Sequence, residues 1–192
     1  MEPMALEAVS TDASSMSSAS ALVERARSGD EAAFEMLLRE RLDRLFQTAC
    51  VILGNETDAR DAIQETCLSV WRNLPRLRDA DRFDAWLTRV LVNECRSRLR
   101  KRSRVREIHI DPEFEQAGPA SDDPAHSAET DSIARAFDRL DPDARAILVL
   151  HHVRHEPINT IAIALQVPAG TVKSRLHAAR LALARALERE RR

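Results

Sequence analysis

Four glycines in 192 residues, with no tyrosine, constrain the fold more than any other feature of this chain. All-β architectures need frequent tight turns, and many of those turns depend on glycine for positive φ. A phosphate-cradling loop needs clustered glycines. Neither is available here. Ala, Leu, Arg and Glu abound instead, and such side chains favour helices. The expected fold class is all-α, and apolar residues, 44% of the chain, suffice for a core.

The formal net charge of −2 hides three blocks. From Arg89 to Arg106 stand eight basic residues against one acid, Glu94. From Glu107 to Asp131 stand eight acids and no Lys or Arg, with Pro112, Pro119 and Pro124 among them. From Pro168 to Arg192 stand seven basic residues against two acids. The acidic, proline-containing block reads as a tether. Residues 1–20, with six serines, read as a disordered leader. The expected organisation is a leader over 1–20, a helical domain over 21–106, an acidic flexible linker over 107–130 and a second small helical domain over 131–192.

In the first domain, Ala21–Ser28 forms a short helix stopped by Gly29, and Asp30 caps a long helix from Glu31 to Leu53 that ends at Gly54-Asn55. A third helix starts near Thr57 or Asp58 and ends by Leu74, before Pro75. Its apolar stripe runs through Ala59, Ile63, Cys67 or Thr66, Val70 and Trp71. Asp61, Gln64, Glu65 and Arg72 fall on or beside the opposite face, which on pattern alone reads as solvated. After a loop over Pro75–Ala80, a fourth helix runs from Asp81 to Arg104 and carries the basic run. That run fits a solvated helix end or a polyanion-binding segment.

In the second domain, Asp131–Leu140 is helical, and Asp141-Pro142 starts the next helix with proline at its first position. A short helix over Ile158–Leu165, the segment Gln166-Val167-Pro168-Ala169 and a helix over Gly170–Glu188 form a helix-turn-helix pattern. Stepping about 100° per residue from Val172 keeps Leu176, Ala179, Leu183 and Leu187 on one face. Lys173, Ser174, His177 and Arg180 fall on an adjacent face, as a major-groove reading helix requires.

Other constellations read blandly. His151, His152 and His155 lack a nearby cysteine, and no metal site or cofactor is expected. Cys50, Cys67 and Cys95 read as buried thiols, and Trp71 and Trp86 as core. No nucleophile–base arrangement stands out, so no enzyme is expected. No apolar run is long enough to span a bilayer, and the N-terminus lacks the basic and apolar regions of a signal peptide. A cytoplasmic protein without stable membrane insertion is the expectation.

Two segments together resemble one family. Asp58-Ala-Arg-Asp-Ala-Ile-Gln-Glu-Thr-Cys-Leu-Ser-Val-Trp-Arg72, continued by Phe83-Asp-Ala-Trp-Leu-Thr-Arg-Val-Leu-Val-Asn93, is similar to region 2 of bacterial sigma-70 factors. Val167-Pro-Ala-Gly-Thr-Val-Lys-Ser-Arg-Leu-His-Ala-Ala-Arg180 resembles their region 4 recognition helix. With no other large region, the chain resembles the extracytoplasmic-function (ECF) subgroup. The resemblance covers roughly residues 21–104 and 131–188.

What the resemblance implies is a promoter-specificity subunit of RNA polymerase. Asp61, Gln64 and Glu65 would face the clamp helices of the largest polymerase subunit, and the second domain would dock on the flap of the second-largest. Arg76, Arg78 and Asn93 would sit at the −10 element, read as single-stranded DNA, with Arg96, Arg98, Arg100, Lys101 and Arg102 on the phosphate backbone beside it. Thr171, Lys173, Ser174, Arg175, His177 and Arg180 would meet the −35 duplex. The acidic linker would suit a basic polymerase channel, and an anti-sigma factor would be a further partner. The competing reading is a stand-alone helix-turn-helix regulator with an N-terminal protein-interaction domain. The chain departs from the family where Pro157 replaces a capping Ser, Gln166 replaces the turn Gly, and Thr160 and Ile163 replace glutamates. A non-glycine left-handed residue costs about 1 kcal/mol, so a strained turn is expected at Gln166.

Overall fold

Three short polar side chains start three of the helices. The Asp30 carboxylate accepts the Ala33 N–H at 3.0 Å, the Asn55 side-chain oxygen accepts the Asp58 N–H at 2.6 Å, and the Asp141 carboxylate accepts the N–H groups of Asp143 and Ala144 at 2.9 and 3.0 Å. Each satisfies backbone donors that a helix start leaves unpaired. The computed structural model describes residues 19–108 and 124–190. It holds α1 (residues 19–27), α2 (Glu31–Arg39), α3 (Leu42–Leu53), α4 (Glu56–Asn73), α5 (Phe83–Ile108), α6 (Pro124–Asp138), α7 (Pro142–Leu148), α8 (Ile158–Leu165) and α9 (Ala169–Glu190). Two single 3-10 turns, Leu74–Arg76 and Ala80–Arg82, link α4 to α5. No strand occurs among the described residues.

The expected glycine stops hold: Gly29 and Gly54 adopt φ of 93° and 76°. The expected helix Glu31–Leu53 is instead broken at Glu40-Arg41 into α2 and α3. No glycine or proline marks the break. It is set by Arg41, whose guanidinium pairs with Asp84, donates to the Leu37 carbonyl at 2.9 Å and lies 5.4 Å from the Phe83 ring centroid. A residue distant in sequence thus decides where this helix ends.

α4 turns inward through Ala59, Ala62, Thr66 and Val70, all buried. Trp71, expected in the core, stands about 100° past Val70 and is 38% exposed, its ring edge-on to Phe34 at 4.8 Å. Trp86 is half-buried beside Phe83.

α6 begins at Pro124, earlier than the expected start at Asp131 and inside the segment read as linker. Proline suits a first helical turn, where its missing N–H costs nothing. Residues 109–123 and the first 18 residues of the expected leader over 1–20 lie outside the described residues, while residues 19 and 20 belong to α1 rather than to a leader. α7 ends in a wide π turn over Val149–Val153.

α1 to α5 form one helical unit and α6 to α9 a second, and they pack together. One continuous apolar core runs from Leu37, Leu53 and Leu91 through Ile147, Leu150 and Ile161. α5 lies against α7 and α8, and α3 against the π turn. Arg145, buried on α7, donates to the carbonyls of Leu140 and Asp138 in its own unit and of Ile52 in the other.

Candidate nucleic-acid and polymerase interfaces

The helix-turn-helix is made by α8 and α9. Pro157 starts α8 with no side-chain cap, as its loss of a hydroxyl requires. Gln166 ends it at φ 55° and ψ 43°, so the glutamine occupies the left-handed position that favours glycine. The Val167 N–H reaches back to the Ala162 carbonyl at 3.1 Å and closes the turn in the ordinary way. The left-handed residue within the turn is thus Gln166 alone, and its closing hydrogen bonds are made.

On α9, Val172, Leu176 and Ala179 are buried. Lys173, Ser174, Arg175, His177 and Arg180 are exposed, and Thr171 is half-buried. Ser174 Oγ donates to the Thr171 carbonyl at 3.0 Å. Lys173, His177 and Arg180, spaced four and three apart, share one edge of the helix.

A second candidate surface is a cleft of about 850 Å³ between the α4–α5 connection and α5. Arg76, Arg78 and Asn93 line it, as do Trp86 and Arg89. In the sequence the last two read as core and as part of a charge run. Only the fold turns them toward the connection, which the buried Leu74 and Leu77 anchor. Ile163 and Gln166 of the second unit also line the cleft.

The basic run of α5 divides by helical face. Arg96, Arg98 and Arg102 are half-buried and paired. Arg96 meets Asp143 at 2.5 Å and Arg98 meets Asp61 at 3.2 Å. Arg102 meets Asp58 at 3.2 Å and donates to the Leu53 carbonyl at the same distance. Arg100, 3.8 Å from Asp143, and Lys101 are exposed. Four of the five expected phosphate ligands are therefore ion-paired to neighbouring helices here, three of them half-buried. Sequence could not sort the run, because the partners lie 37 or more residues away.

On α4, Asp61, Gln64 and Glu65 are all exposed. Leu68 and Trp71, 40% and 38% exposed, continue the same stripe. An acidic and amide patch thus passes into an apolar one along a single helix.

No group of His, Cys, Asp or Glu among the described residues is arranged to hold a metal. The rings of His151 and His152 stand edge-on at 4.8 Å. The three cysteines are free, Cys95 buried and Cys50 and Cys67 half-buried. Burial raises all three thiols above their ordinary range, Cys95 to about 12.

Two packed helical units, one of them carrying a helix-turn-helix with a cationic outer edge, are the architecture of a helical DNA-binding protein. Sigma-70 region 2 matches residues 37–105 and Sigma-70 region 4 matches residues 130–183. The ECF RNA polymerase sigma factor SigM of Mycobacterium tuberculosis is 34% identical over 159 residues, covering 83% of this chain and 79% of that one. SigE of Mycolicibacterium smegmatis is 32% identical over 160 residues, 79% of this chain and 62% of that relative's length. CnrH, solved in complex with the cytosolic domain of CnrY, is 26% identical with a TM-score of 0.63, covering 88% of this chain and 97% of that one. The Bartonella quintana sigma factor RpoE, solved with the anti-sigma factor NepR, is 25% identical with a TM-score of 0.62, covering 81% and 96%. The chain belongs to the ECF sigma factors of the sigma-70 family.

Proposed function

We propose that this sigma factor divides promoter recognition among three faces. The α4 stripe of Asp61, Gln64 and Glu65 docks on the clamp helices of core RNA polymerase. Charge there steers encounter and register, and Leu68 and Trp71 supply apolar area. The cleft at Arg76, Arg78 and Asn93 takes the −10 element as single-stranded DNA. Unstacking costs a few kcal/mol, and a pocket with arginines and a tryptophan can offset it through stacking and phosphate pairing. Arg100 and Lys101 lie on the backbone beside it. Arg96, Arg98 and Arg102 join them by exchanging their present carboxylates for phosphates, as Arg100 exchanges its longer contact with Asp143. Lys173, Ser174 and His177 read base edges of the −35 duplex, with Thr171, Arg175 and Arg180 nearer its phosphates. The second unit docks on the polymerase flap. The chain performs no chemistry itself, works in the cytoplasm and is held in check by an anti-sigma factor.

The observation that carries this reading is α9, with Val172, Leu176 and Ala179 buried and Lys173, His177 and Arg180 exposed along one edge. Transcription in vitro from a genomic-fragment library, with bacterial core polymerase with and without the protein, tests it. Protein-dependent starts sharing a −35/−10 pair are expected, and Asp61→Arg abolishes them. Duplex binding with no added starts would instead favour a stand-alone regulator.

A further inference from the structure

Of the cations along the outer edge of α9, Arg180 differs from the rest. Lys173, Arg175 and His177 have no side-chain partner among the described residues. Arg180 Nε donates to His152 Nε2 at 3.1 Å, across 28 residues of chain. A ring nitrogen that accepts a hydrogen bond carries no proton, so His152 is the neutral tautomer with its proton on Nδ1. The surroundings favour it: although His152 is exposed, desolvation by its neighbours, then Arg180, His151 and His155, lower its pKa from the ordinary histidine range.

The backbone that delivers His152 is irregular. α7 gives way to the π turn, and the Arg154 N–H bonds to the Val149 carbonyl at 2.9 Å. The Glu156 N–H reaches the Leu150 carbonyl at 2.9 Å, and His155 takes a left-handed φ of 54°. A π turn inserts a residue and re-aims the side chains that follow it, and such turns gather at functional positions. Val149 and Leu150 are buried and fix the turn from inside. The His151 ring braces His152 edge-on at 4.8 Å, and His151 Nδ1 lies 3.4 Å from the Glu156 carbonyl. The strained loop thus ends in one outward acceptor, set against one arginine of the reading helix.

With its Nε engaged, the Arg180 guanidinium keeps both Nη groups unpartnered among the described residues. A free exposed arginine must give up rotamer freedom when it grips a phosphate, and one already held by its Nε gives up less. We propose that His152 is a positioning residue for −35 recognition, orienting Arg180 so that its Nη edge meets a backbone phosphate of the duplex. This rests on the reading of α9 as the −35 helix.

The test uses the full chain assembled with core polymerase and the promoter fragment recovered by library transcription. Binding is followed by fluorescence anisotropy over a series of NaCl concentrations. Arg180→Ala is expected to weaken binding roughly 3- to 10-fold and to lower the salt slope by about one ion. His152→Ala is expected to weaken binding about 2- to 5-fold with Arg180 present and not at all in the Arg180→Ala background, the signature of coupled residues. His152→Gln, whose amide oxygen can accept from Nε, restores the wild-type value. His152→Lys, which adds charge but no acceptor, binds more weakly than His152→Gln. The proposal is overturned if His152→Ala binds as wild type while Arg180→Ala does not, if its loss persists without Arg180, or if His152→Lys matches or exceeds wild type. Lys173→Ala separates the two levels. Weakening by Lys173→Ala with none by Arg180→Ala overturns this proposal alone, whereas no effect of either overturns the reading of α9.

Discussion

Arg145 on α7 donates from Nη1 to the Ile52 carbonyl on α3, 3.3 Å away and 93 residues back in the chain. The same guanidinium pairs with the Asp138 carboxylate at 2.8 Å and lies 5.7 Å from the Phe137 ring centroid. It is the buried charge on which the two units meet. Asp138 also faces the α3–α4 turn, where a Cβ on Gly54 would come within 3.2 Å of its Oδ1. Arg145→Ala would leave several buried acceptors without their donor. Losing one partner of a buried charged network typically costs about 3 kcal/mol or more. Urea unfolding of the full chain should show a loss of that order, and a change below about 1 kcal/mol would mean water replaces the guanidinium.

A second link between the units is Asp143, set between Arg96 and Arg100. Asp143 is partly exposed, so Asp143→Ala should cost less than about 1 kcal/mol. Asp143→Arg is different, because it places a third cation beside two others. Small-angle scattering at low salt should show a larger radius of gyration for Asp143→Arg than for wild type, shrinking again as salt screens the repulsion. An unchanged radius would mean that the apolar contacts of α5 with α8 hold the units together alone.

Thiol reactivity should follow burial. With Cys95 raised to about 12 and Cys50 and Cys67 also raised, the native thiols stay protonated at pH 8. Dithionitrobenzoate should react slowly with the folded protein, slowest at Cys95, and rapidly after unfolding. A Cys95 thiol that ionises only near 12 when folded, but near 9.0 when exposed, favours the folded state below pH 9. That stabilisation is lost as pH rises from about 9 toward 12. Cys95→Ala should flatten this part of the stability profile.

Gln166 and His155 are the non-glycine residues with positive φ among those described, at 55° and 54°. Releasing a side chain from the left-handed region gains about 1–2 kcal/mol, while glycine's greater freedom in the unfolded chain returns about 0.5–1. Gln166→Gly should therefore raise stability by about 0.5–1 kcal/mol, read as a higher thermal midpoint. A lower midpoint would show that the glutamine side chain contributes packing in the cleft it lines.

Much of this arrangement is legible in local chemistry. Asp30 and Asp141 cap, Gly29 and Gly54 stop, and Val172, Leu176 and Ala179 bury, because each depends on neighbours within a turn or two. The outer edge of α9 follows from the same 3.6-residue period. The break at Glu40-Arg41 was not legible, since Asp84 and Phe83, which hold Arg41, lie more than forty residues on. Trp71 reads as core but is 38% exposed, because hydrophobicity alone does not tell the last inward residue of a stripe from the first one beyond it.

By itself, then, the sequence determined the helical class of the described residues, their caps and stops, and the candidate residues on the outer faces of α4, α5 and α9. Local propensity, capping and periodicity act over a few residues and need no knowledge of the rest. The tertiary structure decided which of those residues are free. It turned Arg96, Arg98 and Arg102 toward Asp143, Asp61 and Asp58, left Arg100 exposed at the edge of the Asp143 pair and Lys101 in solvent, and set His152 against Arg180. Charge pairing depends on distance in space, and only the packing of α4, α5, α7 and α9 brings these partners within reach.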